Sequence, residues 1–160
     1  MSKIRPCRAD EQSVMHTIIN RAAEAYRGVI PADCWHEPYM PAKHLADEIA
    51  AGVSFWGYED DGALIAVMGM QDVEDVTLIR HAYTLPEHQG KGLGAALLAH
   101  LRALTSRRIL IGTWADAGWA IRFYQRHGFR LTLPEEKTSL LHRYWTVSDR
   151  QIETSVVLTS

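Results

Sequence analysis

The chain has little cysteine. Only Cys7 and Cys34 occur in 160 residues, too few for a disulfide framework, so reduced thiols are expected. It has no long apolar run. Nothing approaches the roughly 20 residues of a membrane-spanning helix, and Met1 to Asp10 lacks the apolar core of a secretory signal. A cytoplasmic protein without a membrane partner is expected. It also lacks an excess of cations. Seventeen Lys and Arg against nineteen Asp and Glu leave a formal charge of −2, so there is no basic footprint for nucleic acid. No repeat or low-complexity stretch is present. His36 and His44 have no partner at ligand spacing, so no metal site is expected.

What remains is an ordinary globular composition, 47% hydrophobic and 22% charged, at a length that suits one domain over residues 1–160. Its most informative stretch runs from Leu85 to Leu98. Gly90, Gly92 and Gly94 alternate there between two periodic segments. Before them, Val76 to Tyr83 is apolar and extended. After them, Leu93, Leu97, Leu98, Leu101 and Leu104 share one helical stripe. Glycine lets a ligand approach the main chain closely. A helix's first turn offers free N–H groups at the positive end of its dipole. Together these suit a pyrophosphate.

Three phosphate-binding patterns compete. A P-loop needs Ser or Thr after Gly-Lys, and here Gly92 follows Gly90-Lys91, which excludes it. The dinucleotide fingerprint is half-matched, with Asp116 about 20 residues on as its acid. Against it, Thr84 to His88 intervene where that fingerprint needs a tight turn. The third pattern is a resemblance. Gln89-Gly90-Lys91-Gly92-Leu93-Gly94 is similar to Q/R-x-x-G-x-G/A, the acetyl-coenzyme-A motif of the GNAT superfamily of N-acetyltransferases. Ala120-Ile121-Arg122-Phe123-Tyr124-Gln125-Arg126-His127-Gly128-Phe129 resembles that family's second motif, A-x-x-x-Y-x-x-x-G-F, at the usual separation. The Asn that often precedes the motif alanine by three positions is replaced by Ala117.

Taken in order, Ile4 to Arg8 reads as a first strand. Asp10 is the expected cap of a helix with Val14, Ile18, Ile19, Ala22 and Ala25 inward. Ile30 to Met40 reads as an aromatic-rich loop. Pro41 opens a second helix, with Leu45 and Ile49 inward and Gly52 as its stop. Residues 53–58 and 63–70 read as strands joined by a hairpin turn at Glu59-Asp60-Asp61-Gly62. Val76 to Tyr83 and Arg108 to Thr113 follow as strands. Asp116 is the expected cap of the next helix. Phe129 to Leu133 and Gln151 to Thr159 read as strands around an irregular insert, 134–150. The resemblance implies the fold: an α/β (α+β mixed) domain whose mixed, mostly antiparallel sheet has about seven strands and about four flanking helices.

The resemblance also implies the activity. Acetyl-coenzyme A would be the cosubstrate, and a small-molecule or peptide amine would attack it directly in a ternary complex. Tyr124 is the implied acid beside the coenzyme sulfur. Ala82, Tyr83 and Thr84 would pair with the pantetheine arm through their main chain. Gln89, Gly90, Lys91, Gly92, Leu93, Gly94 and Ala95 would wrap the pyrophosphate. Many relatives place a glutamate one position before His81, but this chain has Arg80. His81, with an ordinary pKa near 6.5, is then the candidate base, against the competing reading of a core histidine. Glu24, Glu37 and Glu74 are further acids that read as solvated. Trp35, Tyr39, Tyr144 and Trp145 are candidates for the acceptor pocket, against packing or a homodimer contact. Two alternatives remain: a coenzyme-A-binding sensor without turnover, and an NAD-dependent oxidoreductase using Asp116.

Overall fold

Residues 64–70 are apolar without a break except at Gly69, the pattern of a strand covered on both faces. In the computed structural model, which describes residues 1–160, Leu64 to Gly69 are all buried. They form most of β3 (Ala63–Val73). A two-residue turn ties β3 to β2 (Ser54–Asp60), with Asp61 and Gly62 both at positive φ, 49° and 83°, the geometry that matches strand twist. Further strands are β1 (Ser2–Pro6), β4 (Val76–Thr84), β5 (Arg108–Trp114), β6 (Arg130–Leu131) and β7 (Ser155–Thr159). The seven strands form one sheet in the order β1-β2-β3-β4-β5-β7-β6. Only β4 and β5 pair in parallel.

The α-helices number six rather than about four: α1 (Gln12–Ala22), α2 (Ala42–Ala50), α3 (Leu93–Arg102), α4 (Gly118–Arg126), α5 (Pro134–Tyr144) and α6 (Asp149–Glu153). The two extra ones occupy the segment expected to be irregular. Pro134 opens α5, with Glu135 and Glu136 in its first turn and His142 and Arg143 in its last. Those charges complement the helix dipole. Ser148 caps α6 by accepting the Gln151 N–H at 3.2 Å. The last strand therefore begins at Ser155, not Gln151. β6 is only two residues long because the chain turns toward Pro134, with Thr132 N–H bonded to Val157.

Two expected caps are also corrected. Glu11, not Asp10, satisfies the start of α1: its carboxylate accepts the Arg8 N–H at 2.7 Å across a 3₁₀ turn. Asp116 is exposed, and Ala117 occupies the cap position of α4. The inward stripe of α1 is Met15, Ile18, Ile19 and Ala22. Val14, expected inward, is exposed, as is Ala25, because the helix tightens to 3₁₀ after Ala22.

One face of the sheet carries α3 and α4, whose Leu93, Leu97, Leu98, Leu101 and Tyr124 pack on Met68, Ile79, Ile109 and Ile111. The other face carries α1 and α2 over Phe55, Leu64 and Val67. Beside them α5 and α6 cover Val76, Leu78, Leu110 and Val157. Each fully buried Leu or Ile contributes roughly 1.5–3 kcal/mol. Leu104 lies past the end of α3 and is exposed. No helix is long and apolar enough to cross a membrane.

Candidate active site

The two parallel strands make the site by parting. β4 and β5 pair from Val76 with Arg108 to Ile79 with Ile111, and no further. Beyond that point β4 pairs only with β3, and β5 only with β7. A bulge lies where they part. Val67 of β3 faces Tyr83 and Gly69 faces Arg80, so β4 carries one extra residue. His81 absorbs it with φ +56°, a conformation costly for most residues but less so for His. The bulge turns Arg80 and His81 toward the same side, where both reach Glu48 of α2. Simple alternation would have put them on opposite faces.

The opened seam is part of a cavity of about 690 Å³, lined by Arg80 to Thr84 on one side and Ile111 to Trp114 on the other. Main-chain groups that would have completed the parallel ladder border this cavity, as a ligand with amide groups requires. The glycine loop closes one part of it. Gly90 and Gly92 have φ of +79° and +81°, with Gly92 at the cap of α3. A Cβ at either would meet nothing within 4 Å, so their need for glycine is conformational. No side chain caps α3, which leaves its first-turn N–H groups for a ligand. Gln89, Gly90, Gly92, Leu93, Gly94 and Ala95 line the cavity, joined by His88, Arg126 and His127. Lys91 is absent from the lining, its ammonium lying 3.5 Å from His88 Nδ1. The loop is held to β4 by Gln89, which donates to the Thr84 carbonyl at 3.3 Å.

Tyr124 reaches the cavity from α4. Its ring is set edge-on to Phe123 and Phe129, at 5.1 and 6.1 Å between centroids. Burial pushes its hydroxyl pKa up, with Tyr26 adding to the shift. It is a proton donor, not an anion, near neutral pH. Tyr83 is raised for the same reason and donates to the Tyr39 hydroxyl at 3.0 Å. Burial pushes Tyr26 up to about 12, partly offset by its bond with Thr113.

His81 stacks on Phe55 at 5.9 Å, and its Nε2 is buried 3.4 Å from Glu48 Oε1, outside hydrogen-bond geometry. Burial lowers its pKa, while Glu48 opposes the shift. His81 is therefore neutral at pH 7 and able to take a proton. Burial alone would raise Glu48, but His81 and the charges of Arg80 and His44 outweigh it and hold Glu48 at about 2.

Of the aromatics expected at the acceptor side, Tyr39 and Trp145 line the cavity, and Trp145 packs over Gly112. Trp35 stands outside it, its indole donating to Glu37 at 2.7 Å beneath Arg27. Tyr144 is corrected. It is buried among Val76, Leu78 and Leu110, and its hydroxyl donates to Asp75 at 2.7 Å near the start of β4. Residues 144 and 145 end α5, and only the second turns to the cavity. Tyr26, Trp119 and Glu48 were not foreseen. No metal-binding group of His, Cys, Asp and Glu is present.

Residues 51–131 match the family model described as an acetyltransferase (GNAT) domain. Comparison with curated proteins returns no match. Among solved structures, the chain is similar to the paia N-acetyltransferase of Thermoplasma acidophilum in complex with coenzyme A. The identity is 15%, the TM-score 0.74, and the match covers 100% of this chain and 98% of that one. It is also similar to the ribosomal-protein-S18-alanine N-acetyltransferase of Escherichia coli, at 18% identity and TM-score 0.70, over 99% and 92% of the two chains. A third is yncA, a putative acetyltransferase of Salmonella typhimurium with acetyl-CoA, at 22% identity and TM-score 0.64, over 83% and 82%. The mixed sheet, with its single parallel pair, and the exposed Asp116 remove the dinucleotide reading. The glycine loop, the parted strands and the buried Tyr124 all fall within the matched residues, and the chain belongs to the GNAT family of acetyltransferases.

Proposed function

We propose that the protein transfers an acetyl group from acetyl-coenzyme A to the amine of a small molecule or peptide, by direct attack within a ternary complex. The observation that carries this reading is the seam between β4 and β5, open to the glycine loop at one part and to Tyr124 and His81 at others. The group fits the residues present. The α3 N-terminus and the nearby Arg126, His127 and His88 suit phosphates. The main-chain edges of Ala82, Tyr83 and Thr84 suit the amides of a pantetheine arm. Residues 1–160 act as one catalytic unit in this reading.

The donor supplies an activated acetyl group: the amine nitrogen bonds to the thioester carbonyl carbon as the carbon–sulfur bond breaks. The chain's residues must then manage two protons. A lysine-like amine of pKa near 10.4 is neutral in only about one molecule in 2,500 at pH 7, a deficit of roughly 4.6 kcal/mol. His81, neutral and with Nε2 turned to Glu48, accepts the amine proton at Nδ1. Tyr124 donates its hydroxyl proton to the departing sulfur. Main-chain N–H groups along the parted strand hold the carbonyl, and binding both reactants in one cavity lowers the barrier by several kcal/mol.

The test is thermal unfolding with acetyl-coenzyme A and, separately, with NAD. At a hundred times its Kd, acetyl-coenzyme A adds about 2.7 kcal/mol and raises Tm by roughly 5–10 °C. Released thiol is then followed across a set of amines. A shift without thiol release for any amine favours a coenzyme-A-binding sensor, and no shift at all removes the donor.

A further inference from the structure

The cavity wall contains no aspartate or glutamate, in a chain that has nineteen. Apart from tyrosines, its ionisable groups are Arg80, His81, His88, Arg126 and His127. The carboxylates of the segment that follows α1 are already paired: Glu24 and Glu37 flank Arg27 at 2.8 and 2.6 Å, and Asp33 holds Arg150 at 2.9 Å. Where this segment meets β4 and α4, four rings stand together. Tyr26 and Tyr39 stack at 6.4 Å, Tyr83 stands edge-on to both at 6.4 and 6.2 Å, and Trp119 tilts against Tyr26 at 5.2 Å. All four line the cavity.

We infer that the acceptor is a monoamine with a flat, apolar carbon body, not a polyamine or a lysine-rich peptide. The inference rests on the acetyl-transfer reading above and names its substrate class. A second ammonium entering this cavity would leave water without finding a carboxylate in its wall, because Glu48, behind the wall, is already paired with the Arg80 guanidinium at 3.2 Å. An aromatic or planar apolar body finds the opposite. Tyrosine and tryptophan rings offer stacking and edge-to-face contact, and their faces attract the single ammonium before it is deprotonated. Because Tyr83 donates to Tyr39, the Tyr39 hydroxyl hydrogen is left for another acceptor, and the amine lone pair is one.

The experiment compares 2-phenylethylamine, spermidine and a short lysine peptide as acceptors, by thiol release, alongside acetyl-coenzyme A binding followed by thermal shift. The expected result is a kcat/KM for 2-phenylethylamine at least tenfold above the other two. Tyr39→Ala raises its KM about tenfold and leaves the KM for acetyl-coenzyme A unchanged. Should that variant fail to fold, Trp119→Ala, at a position 41% exposed, carries the same expectation. A protein that binds acetyl-coenzyme A but prefers spermidine or the peptide, or uses none of the three, overturns the inference and leaves the donor in place. Equal KM values in the folded variants overturn it too. A protein that binds no acetyl-coenzyme A overturns the reading beneath it, and the inference with it.

Discussion

Glu48 Oε1 lies 3.4 Å from Nε2 of His81 and 3.1 Å from Nε2 of His44. One buried carboxylate thus links a histidine of the cavity wall to a histidine that is 55% exposed. Arg80 closes the cluster at 3.2 Å. In the proposed mechanism Glu48 is a positioning residue. Its charge beside Nε2 favours the tautomer protonated there and leaves Nδ1 as the acceptor.

Replacing Glu48 by Gln removes the influence that opposes burial and holds the His81 pKa up. That pKa falls further. The acid limb of kcat/KM therefore moves to lower pH, and the plateau drops because a weaker base takes the proton. The amine's own ionisation is common to both proteins, so their difference isolates His81. Profiles from pH 5 to 8 at saturating acetyl-coenzyme A measure it. His81→Gln lowers the plateau about a hundredfold and abolishes the shift between the Glu48 forms. A limb that stays in place in Glu48→Gln refutes the coupling.

How much of this was legible in the sequence depends on range. The glycine loop was, because its requirement is local: Gly90 and Gly92 need positive φ, and only the chain beside them decides that. The Asp61-Gly62 turn was legible for the same reason. Glu48 was not. It sits on the inward side of α2, where periodicity counts a charged residue as solvent-facing, and its partners Arg80 and His81 come from a distant strand. The bulge that brings those two to one side leaves no mark in the alternation of β4. Tyr26 and Trp119 each stand in a different element and become one wall only after folding. In α5, the opening Pro134 and the charge asymmetry were present, but nothing local tells which of the aromatic pair at its end turns to the cavity, Trp145, and which packs away from it, Tyr144.

Tyr124→Phe deletes one hydroxyl and keeps the edge-on contacts with Phe123 and Phe129. Stability is expected to change little. A thiol of pKa near 8.5 leaves tolerably without an acid, so kcat falls by the low end of acid–base effects, about 100-fold. The KM for acetyl-coenzyme A stays the same. Steady-state kinetics with both substrates varied separates these outcomes. An unchanged kcat would remove Tyr124 from the reaction.

Gly92→Ala tests the loop. No atom lies within 4 Å of the added methyl, so any loss of stability comes from holding Ala at φ +81°. That costs roughly 1–2 kcal/mol, or about 2–8 °C in Tm. Acetyl-coenzyme A binding should weaken by more than tenfold, because the methyl and the strained cap both disturb the first-turn N–H groups. Calorimetric titration beside thermal unfolding distinguishes the two effects. Weakened binding at full stability would place the methyl against the phosphates directly.

The acid end of the stability curve should be governed by Glu11. Two guanidinium bonds from Arg5, at 2.9 and 2.8 Å, join the Arg8 N–H bond at its carboxylate. The bond from Arg5 is the largest influence, and despite burial the Glu11 pKa stands at about 2, below the usual 4.3 or so of an unfolded glutamate. A depressed folded pKa stabilises the native state fully above the unfolded value. The contribution disappears as pH falls from about 5 toward 2, on the order of 3 kcal/mol in all. Glu11→Gln should therefore lower Tm at pH 7 by roughly 6–12 °C. It should also flatten the dependence on acid, so that the gap between variant and parent narrows steadily from pH 5 downward. Thermal unfolding at pH 7, 5, 4 and 3 follows it. A gap that stays constant with pH would mean that Glu11 acts by packing and hydrogen bonding alone, not through its ionisation.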